Sequence, residues 1–250
     1  MRRLCSVLIA LPALLLLPAV AYGQVPGLEA LVPQGEGTAT GRIVQLVLVV
    51  TLLSVAPGLL IMVTCFTRFV IALSFLRVGL GLQTTPANLI MISLALFMTF
   101  FVMGPTLDQA WNNGLKPLVE NQITEQEAYQ RITDPFRTFM RAHVREKDLA
   151  LFEDMAGRVG GVTVRTDSDQ IEMRVLIPAF MISELRRGFE IGFLIVLPFL
   201  VIDMIVATLT MSMGMMMLPP TVISLPFKVL FFVLIDGWNL LVGGLMRSFL

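Results

Sequence analysis

Residues Ile43 to Phe66 form an uncharged run of 24 residues between Arg42 and Arg68, and that run restricts the fold more than any other feature of the chain. A helix needs about 20 apolar residues to cross a hydrocarbon core. Pro57-Gly58 in its middle predicts a kink or break rather than a straight rod. A second uncharged run covers Val78–Leu107, with Asn88–Met103 its most membrane-like part. Composition reaches the same class independently: 56% of the 250 residues are hydrophobic, 14% are charged, and mean hydropathy is +0.83. These values are too apolar for an ordinary soluble domain. Net charge is zero, so nothing suggests nucleic acid as a partner, which would call for a basic patch. The expected class is an all-α integral membrane protein.

Five segments follow from charge and punctuation. Residues 1–23 read as a signal peptide: Arg2-Arg3, an apolar Val7–Leu17 core, then small residues at Ala19, Ala21 and Gly23. Removing them would leave Cys65 as the single thiol, with no intrachain disulfide. Residues 24–41 are a flexible lead, and 42–107 a first hydrophobic helical hairpin. Arg68 and Arg77 in its connector have no acidic neighbour, which by the positive-inside tendency faces the cytoplasm. The stretch Asp108–Arg174 holds 21 of the 36 charges and the only histidine, His143. It is read as an inserted, small, mainly helical periplasmic domain (108–175). A helix is expected from Asp134-Pro135 with Phe136 and Phe139 on one face, and a short extended piece at Val162-Thr163-Val164. The Phe136/Phe139/Phe152 surface is expected to join subunits. Residues 176–250 make a second hydrophobic hairpin.

That second hairpin turns at a methionine cluster: Met211, Met213, Met215, Met216 and Met217, broken by Gly214 and closed by Pro219-Pro220. Thioethers are unbranched and polarizable, and they mould to varied partners. The plainer alternative is that they fill gaps in an apolar core. Charges interrupt both helices: Asp203 within Ile191–Thr210, and Lys228 and Asp236 within Thr221–Met246. Such groups normally face protein, water or each other rather than lipid. Asp203 and Lys228 are equidistant in sequence from the bend, so an antiparallel hairpin sets them at one level. Glu184, Arg186, Arg187 and Glu190 form another polar knot, read as i,i+3 (Glu184–Arg187) and i,i+4 (Arg186–Glu190) pairs.

Residues 178–193, PAFMISELRRGFEIGF, resemble the signature of the FliP family of flagellar type III export-gate proteins. Leu218-Pro219-Pro220, Leu225-Pro226-Phe227-Lys228 and Asp236-Gly237-Trp238 follow in the family's order. The resemblance is densest over residues 176–249 and looser over 42–110. It implies several copies, a pentamer in the family, assembling with FliQ and FliR into an oligomeric channel cone at the flagellar basal body of the inner membrane. FlhB and FlhA would lie close by, and unfolded flagellar proteins would be the cargo. It also implies a subunit-contact role for Glu184 and helices that rise out of the bilayer plane. Breaks at Pro57, Pro198 and Pro226 would suit that arrangement.

No catalytic, metal-binding or cofactor-binding constellation is legible, and a non-enzyme is expected. Two competing readings stay open beside the flagellar gate. One is the equivalent gate subunit of a virulence injectisome. The other is a small-solute or proton-coupled carrier using Asp203, Lys228 and Asp236, for which the internal repeats common in carriers are missing.

Overall fold

A computed structural model describes residues 39–82, 86–160, 171–214 and 219–249, and all its regular elements there are helical. The chain divides into one unit up to Ala56 and another from Pro57 to Leu250. The described part of the first unit is helical, within α1 (Ala39–Met62), and its Val44, Val47, Leu48, Leu53 and Val55 are exposed.

In the second unit the centre is α2 (Phe66–Leu80), which buries Phe69, Ala72, Leu73 and Leu76. It packs most extensively on α7 (Met173–Ser212), a helix of 40 residues. Two i,i+4 pairs explain the close approach. Gly188 and Gly192 on α7 face Ile71 and Phe75 on α2, and a Cβ built on Gly192 would lie 2.5 Å from the Phe75 ring. The missing side chains are what let the two backbones meet. α3 (Asn88–Ala110) covers another side of α2 with Met91, Ala95 and Met98. Its opposite face leaves Leu89, Ile90, Phe97, Phe100 and Phe101 exposed.

The charge onset at Asp108 does not end this rod. The helix runs on through a π-helical turn at Trp111–Leu115 and into α4 (Lys116–Val119). Asn88–Val119 and Met173–Ser212 are each long and apolar enough to cross a membrane. Residues 46–80, and the pair α8 (Pro220–Leu234) with α9 (Gly237–Arg247), would bring the number to four if each bent pair is one span.

The charged insertion contributes α5 (Glu125–His143) and α6 (Glu146–Gly160). α5 starts nine residues before the expected Asp134-Pro135, because Thr124 caps it: its Oγ1 accepts from the Glu127 N–H at 3.3 Å. Thr124 and Glu127 stand in the spacing of a capping box. Pro135 is simply carried inside the helix. The two helices have no separate core. Met140 is buried with Val175, Leu176 and Phe180 of α7, and Phe136, Phe139 and Phe152 pack against that cluster. The Val162-Thr163-Val164 reading lies outside the described residues.

The expected breaks at three prolines are corrected. The helices pass uninterrupted through Pro57, Pro198 and Pro226. A proline forfeits one ladder hydrogen bond and crowds one turn, and surrounding helices can absorb that. The breaks fall instead at Val63–Cys65 and at Ile235-Asp236. Thr221–Met246 is therefore two helices bent by 64°. Asp236 takes the left-handed conformation at φ 51°, which aspartate tolerates better than most residues.

Candidate functional site

Two buried ionic knots brace the second unit. In the first, Arg68 in the opening turn of α2 and Glu184 on α7 are both completely buried. Arg68 Nε donates to Glu184 Oε2 at 2.8 Å, and Nη2 donates to Oε1 of the same carboxylate, a fork-to-fork pairing. The remaining Nη1 donates to the Ser248 carbonyl at 3.0 Å and to Ser248 Oγ at 2.9 Å. Phe249 closes the cage, its ring centroid 3.6 Å from the guanidinium carbon. That ring also meets Phe69 edge-on at 5.4 Å and His143 at 5.2 Å. The last turn of the chain thus seals an ion pair between two other helices. His143 is half-buried and bonds the Phe139 carbonyl through Nδ1 at 2.8 Å.

This corrects the sequence reading twice. Glu184 does not pair with Arg187; the i,i+3 partner lies outside the fold's interior while Arg68 lies within it. Fully buried inside its own chain, the Glu184 carboxylate offers no surface to a neighbouring subunit. Arg68, in turn, is not an aqueous connector charge, so the positive-inside argument retains only Arg77. The missed residue was Arg68. A signal was present: Arg68 stands in a stretch without a single acid, so a counter-charge for it has to come from elsewhere in the chain.

The second knot joins three helices. Lys228 Nζ of α8 meets Asp203 Oδ2 of α7 at 2.6 Å and donates to the Gly79 carbonyl of α2 at 3.0 Å. Ser224 Oγ donates to Asp203 Oδ1 at 2.6 Å. The Lys228 side chain is 5% exposed, that of Asp203 29%. Asp236 is not part of this knot. It is exposed in the turn before α9, where its carboxylate accepts from Asn239 Nδ2 at 3.1 Å.

Beyond the Asp203–Lys228 level, α7 ends at Ser212, and Gly214 turns the chain at φ 75°. Met211 and Met213 are 62% and 71% exposed there. Met215, Met216 and Met217 lie outside the described residues. Between α7 and α8 an apolar groove of about 470 Å³ opens beside the tip, lined among others by Leu209, Met213, Ile223 and Phe227.

Of the outer charges, Arg186 Nε reaches Glu190 Oε1 at 3.0 Å, and Arg145 approaches the same oxygen at 3.8 Å. Arg187 is half-buried with no ion-pair partner among the described residues. Phe136, Phe139 and Phe152 pack, partly buried, against the chain's own cores, because α5 and α6 have no other core to fill. Among the described residues no cluster of His, Cys, Asp or Glu is arranged to hold a metal.

Over the described residues these features define an all-helical protein with membrane-length apolar helices, exposed methionines at the end of α7 and two buried ionic knots. The profile of the FliP family matches residues 49–245. The chain is 61% identical to flagellar biosynthetic protein FliP of Agrobacterium fabrum over 97% of its own length and 98% of that relative's. It is 64% identical to the FliP of Rhizobium meliloti (86% and 87% covered) and 52% identical to that of Bacillus subtilis (82% and 91%). The chain belongs to the FliP family.

Proposed function

We propose that this chain is a subunit of the flagellar type III protein export gate in the bacterial inner membrane. In this reading several copies, together with FliQ and FliR and beside FlhB and FlhA, enclose a channel for unfolded flagellar proteins. The flagellar names of its relatives favour that setting over an injectisome, and a carrier gains nothing from the arrangement described. One observation carries the reading: Met211 and Met213 stand exposed at the end of a stem joined by the Asp203–Lys228 knot. Copies of the hairpin tip, Met211–Met217 with Gly214 as its pivot, meet on the channel axis. An apolar constriction excludes water and ions, while thioethers yield to passing side chains of any shape.

Changing Met215, Met216 and Met217 together to Ala is expected to leave the assembly intact but leaky to small ions, with export reduced less than sealing. Ion conductance across vesicles holding the purified complex measures the leak. An assembled triple variant as tight as the parent would refute the seal. An image of the detergent-purified complex lacking a central channel would refute the gate itself.

The α5–α6 region is extracytoplasmic in the same proposal, consistent with its density of mixed charge. A reporter fused at Asp148 should be active only outside the cytoplasm, and activity confined to the cytoplasm would reverse the topology.

A further inference from the structure

Residues 37–107 contain two arginines after Arg42 and not one Asp or Glu. Arg68 is neutralised by Glu184 from elsewhere in the chain; Arg77, near the end of α2, meets no carboxylate among the described residues. Its Nη1 donates instead to the Asn88 side-chain oxygen at the start of α3. That contact engages the amide's one acceptor atom, and leaves the Asn88 NH2 group and the other guanidinium donors with no hydrogen bond to the described residues. Arg77 and Asn88 form one end of a cavity of about 190 Å³ between α2 and α3, whose remaining lining is Val70, Ser74, Met91 and Ile92. Ser74 adds little polarity, since its hydroxyl is turned back to the Val70 carbonyl at 2.7 Å. The cavity therefore has a cationic, donor-rich end and an apolar body. It borders Ile92 and, one turn further on, Leu96, both exposed on a helix long enough to cross a membrane.

We infer that this groove binds an anionic phospholipid, its phosphate on Arg77 and Asn88 and the start of one acyl chain over Val70, Met91 and Ile92. Three features select that ligand. An arginine fork suits phosphate oxygens. An uncompensated cation beside hydrocarbon is costly until a counter-charge arrives, and a headgroup of net negative charge supplies it where a zwitterion does not. Basic pockets between membrane helices are a recurrent seat for such headgroups. The cavity is too small for a whole lipid, so the tails continue along the exposed face of α3. Phosphate and lipid share the headgroup chemistry; only the lipid uses the apolar body.

The test uses the full-length protein purified in detergent, titrated with phosphatidylglycerol, phosphatidylcholine or inorganic phosphate. Bound lipid is counted by native mass spectrometry and the thermal midpoint is followed. Phosphatidylglycerol is expected to be retained about fivefold more strongly than phosphatidylcholine, whose choline ammonium offsets the charge of the same phosphate; that factor is about what one arginine contributes toward anionic lipid. Arg77→Gln should abolish the preference and Arg77→Lys should keep part of it. Ser74→Phe, which leaves Arg77 in place but fills the groove, should reduce lipid retention without changing the response to inorganic phosphate. Equal retention of the two lipids by the parent protein overturns the inference, as does unchanged preference in Arg77→Gln. If Arg77→Gln fails to fold, Ser74→Phe decides alone, and undiminished retention by it overturns the groove. Saturation by inorganic phosphate with no added effect of lipid makes this a free-anion site and likewise overturns it.

Discussion

Glu184→Ala is expected to destabilise the protein by about 3–5 kcal/mol, the usual cost of stranding a charge in a dry interior, and to reduce the amount of folded protein recovered from membranes sharply. Arg68 would keep its Ser248 and Phe249 contacts but lose two charge-assisted bonds and its only counter-charge. Arg68→Ala should cost a similar amount, because the carboxylate is then left buried and unpaired. The informative variant is the double replacement Arg68→Met/Glu184→Leu. Buried ion pairs contribute little beyond a well-packed apolar pair of similar volume, so the double variant should recover most of the loss in thermal and denaturant unfolding of the detergent-solubilised protein. Removing the residues from Ser248 onward should lie between these extremes, since it uncovers Arg68 without removing Glu184. If Glu184→Ala unfolds at the same midpoint as the parent, the pair is not a buried brace.

The helical architecture was largely legible because its signals are local. Uncharged runs of membrane length lead to helices whatever they pack against, and Gly214 with Pro219-Pro220 marked a turn by backbone chemistry alone. Proline was over-read for the opposite reason. Whether Pro57, Pro198 or Pro226 breaks a helix depends on what surrounds it, and neighbouring sequence does not carry that information. Thr124 was a different kind of miss: Thr124 and Glu127 announce a helix start as plainly as any cap, but Asp134-Pro135 drew the boundary to itself. The ionic knots divide in the same way. Asp203 and Lys228 could be related through the hairpin between them, 25 residues apart. Arg68 and Glu184 are 116 residues apart, and helix spacing offers Glu184 a nearer candidate in Arg187 at i,i+3. Two amphipathic helices with no core of their own turn their phenylalanines toward the chain's interior, where Phe136, Phe139 and Phe152 are partly buried, a packing that sequence periodicity on one helix does not reveal.

Asp203 and Lys228 are expected to be coupled, and unequally sensitive. Lys228 is the drier partner, 5% exposed against 29% for the Asp203 side chain. Asp203→Ala strands an ammonium in the interior with only the Gly79 carbonyl left to it, and should cost about 3 kcal/mol, at the low end for a broken buried pair. Lys228→Ala leaves a carboxylate that keeps the Ser224 hydroxyl and some water, and should cost less. The coupling from a double-mutant cycle with Asp203→Ala/Lys228→Ala should fall within about 0.5–3 kcal/mol, read from unfolding midpoints and in parallel from export of a flagellar substrate. The swapped pair Asp203→Lys/Lys228→Asp restores the Coulomb attraction but sets an anion against the Gly79 carbonyl, so it should recover only part of the loss. Because the knot fixes the stem of the methionine hairpin, export should fall further than stability alone accounts for when the stem is freed. Strict additivity of the two alanine replacements would show that the side chains meet without supporting each other. A larger loss from Lys228→Ala than from Asp203→Ala would show that the carboxylate, not the ammonium, is the group that cannot be left alone.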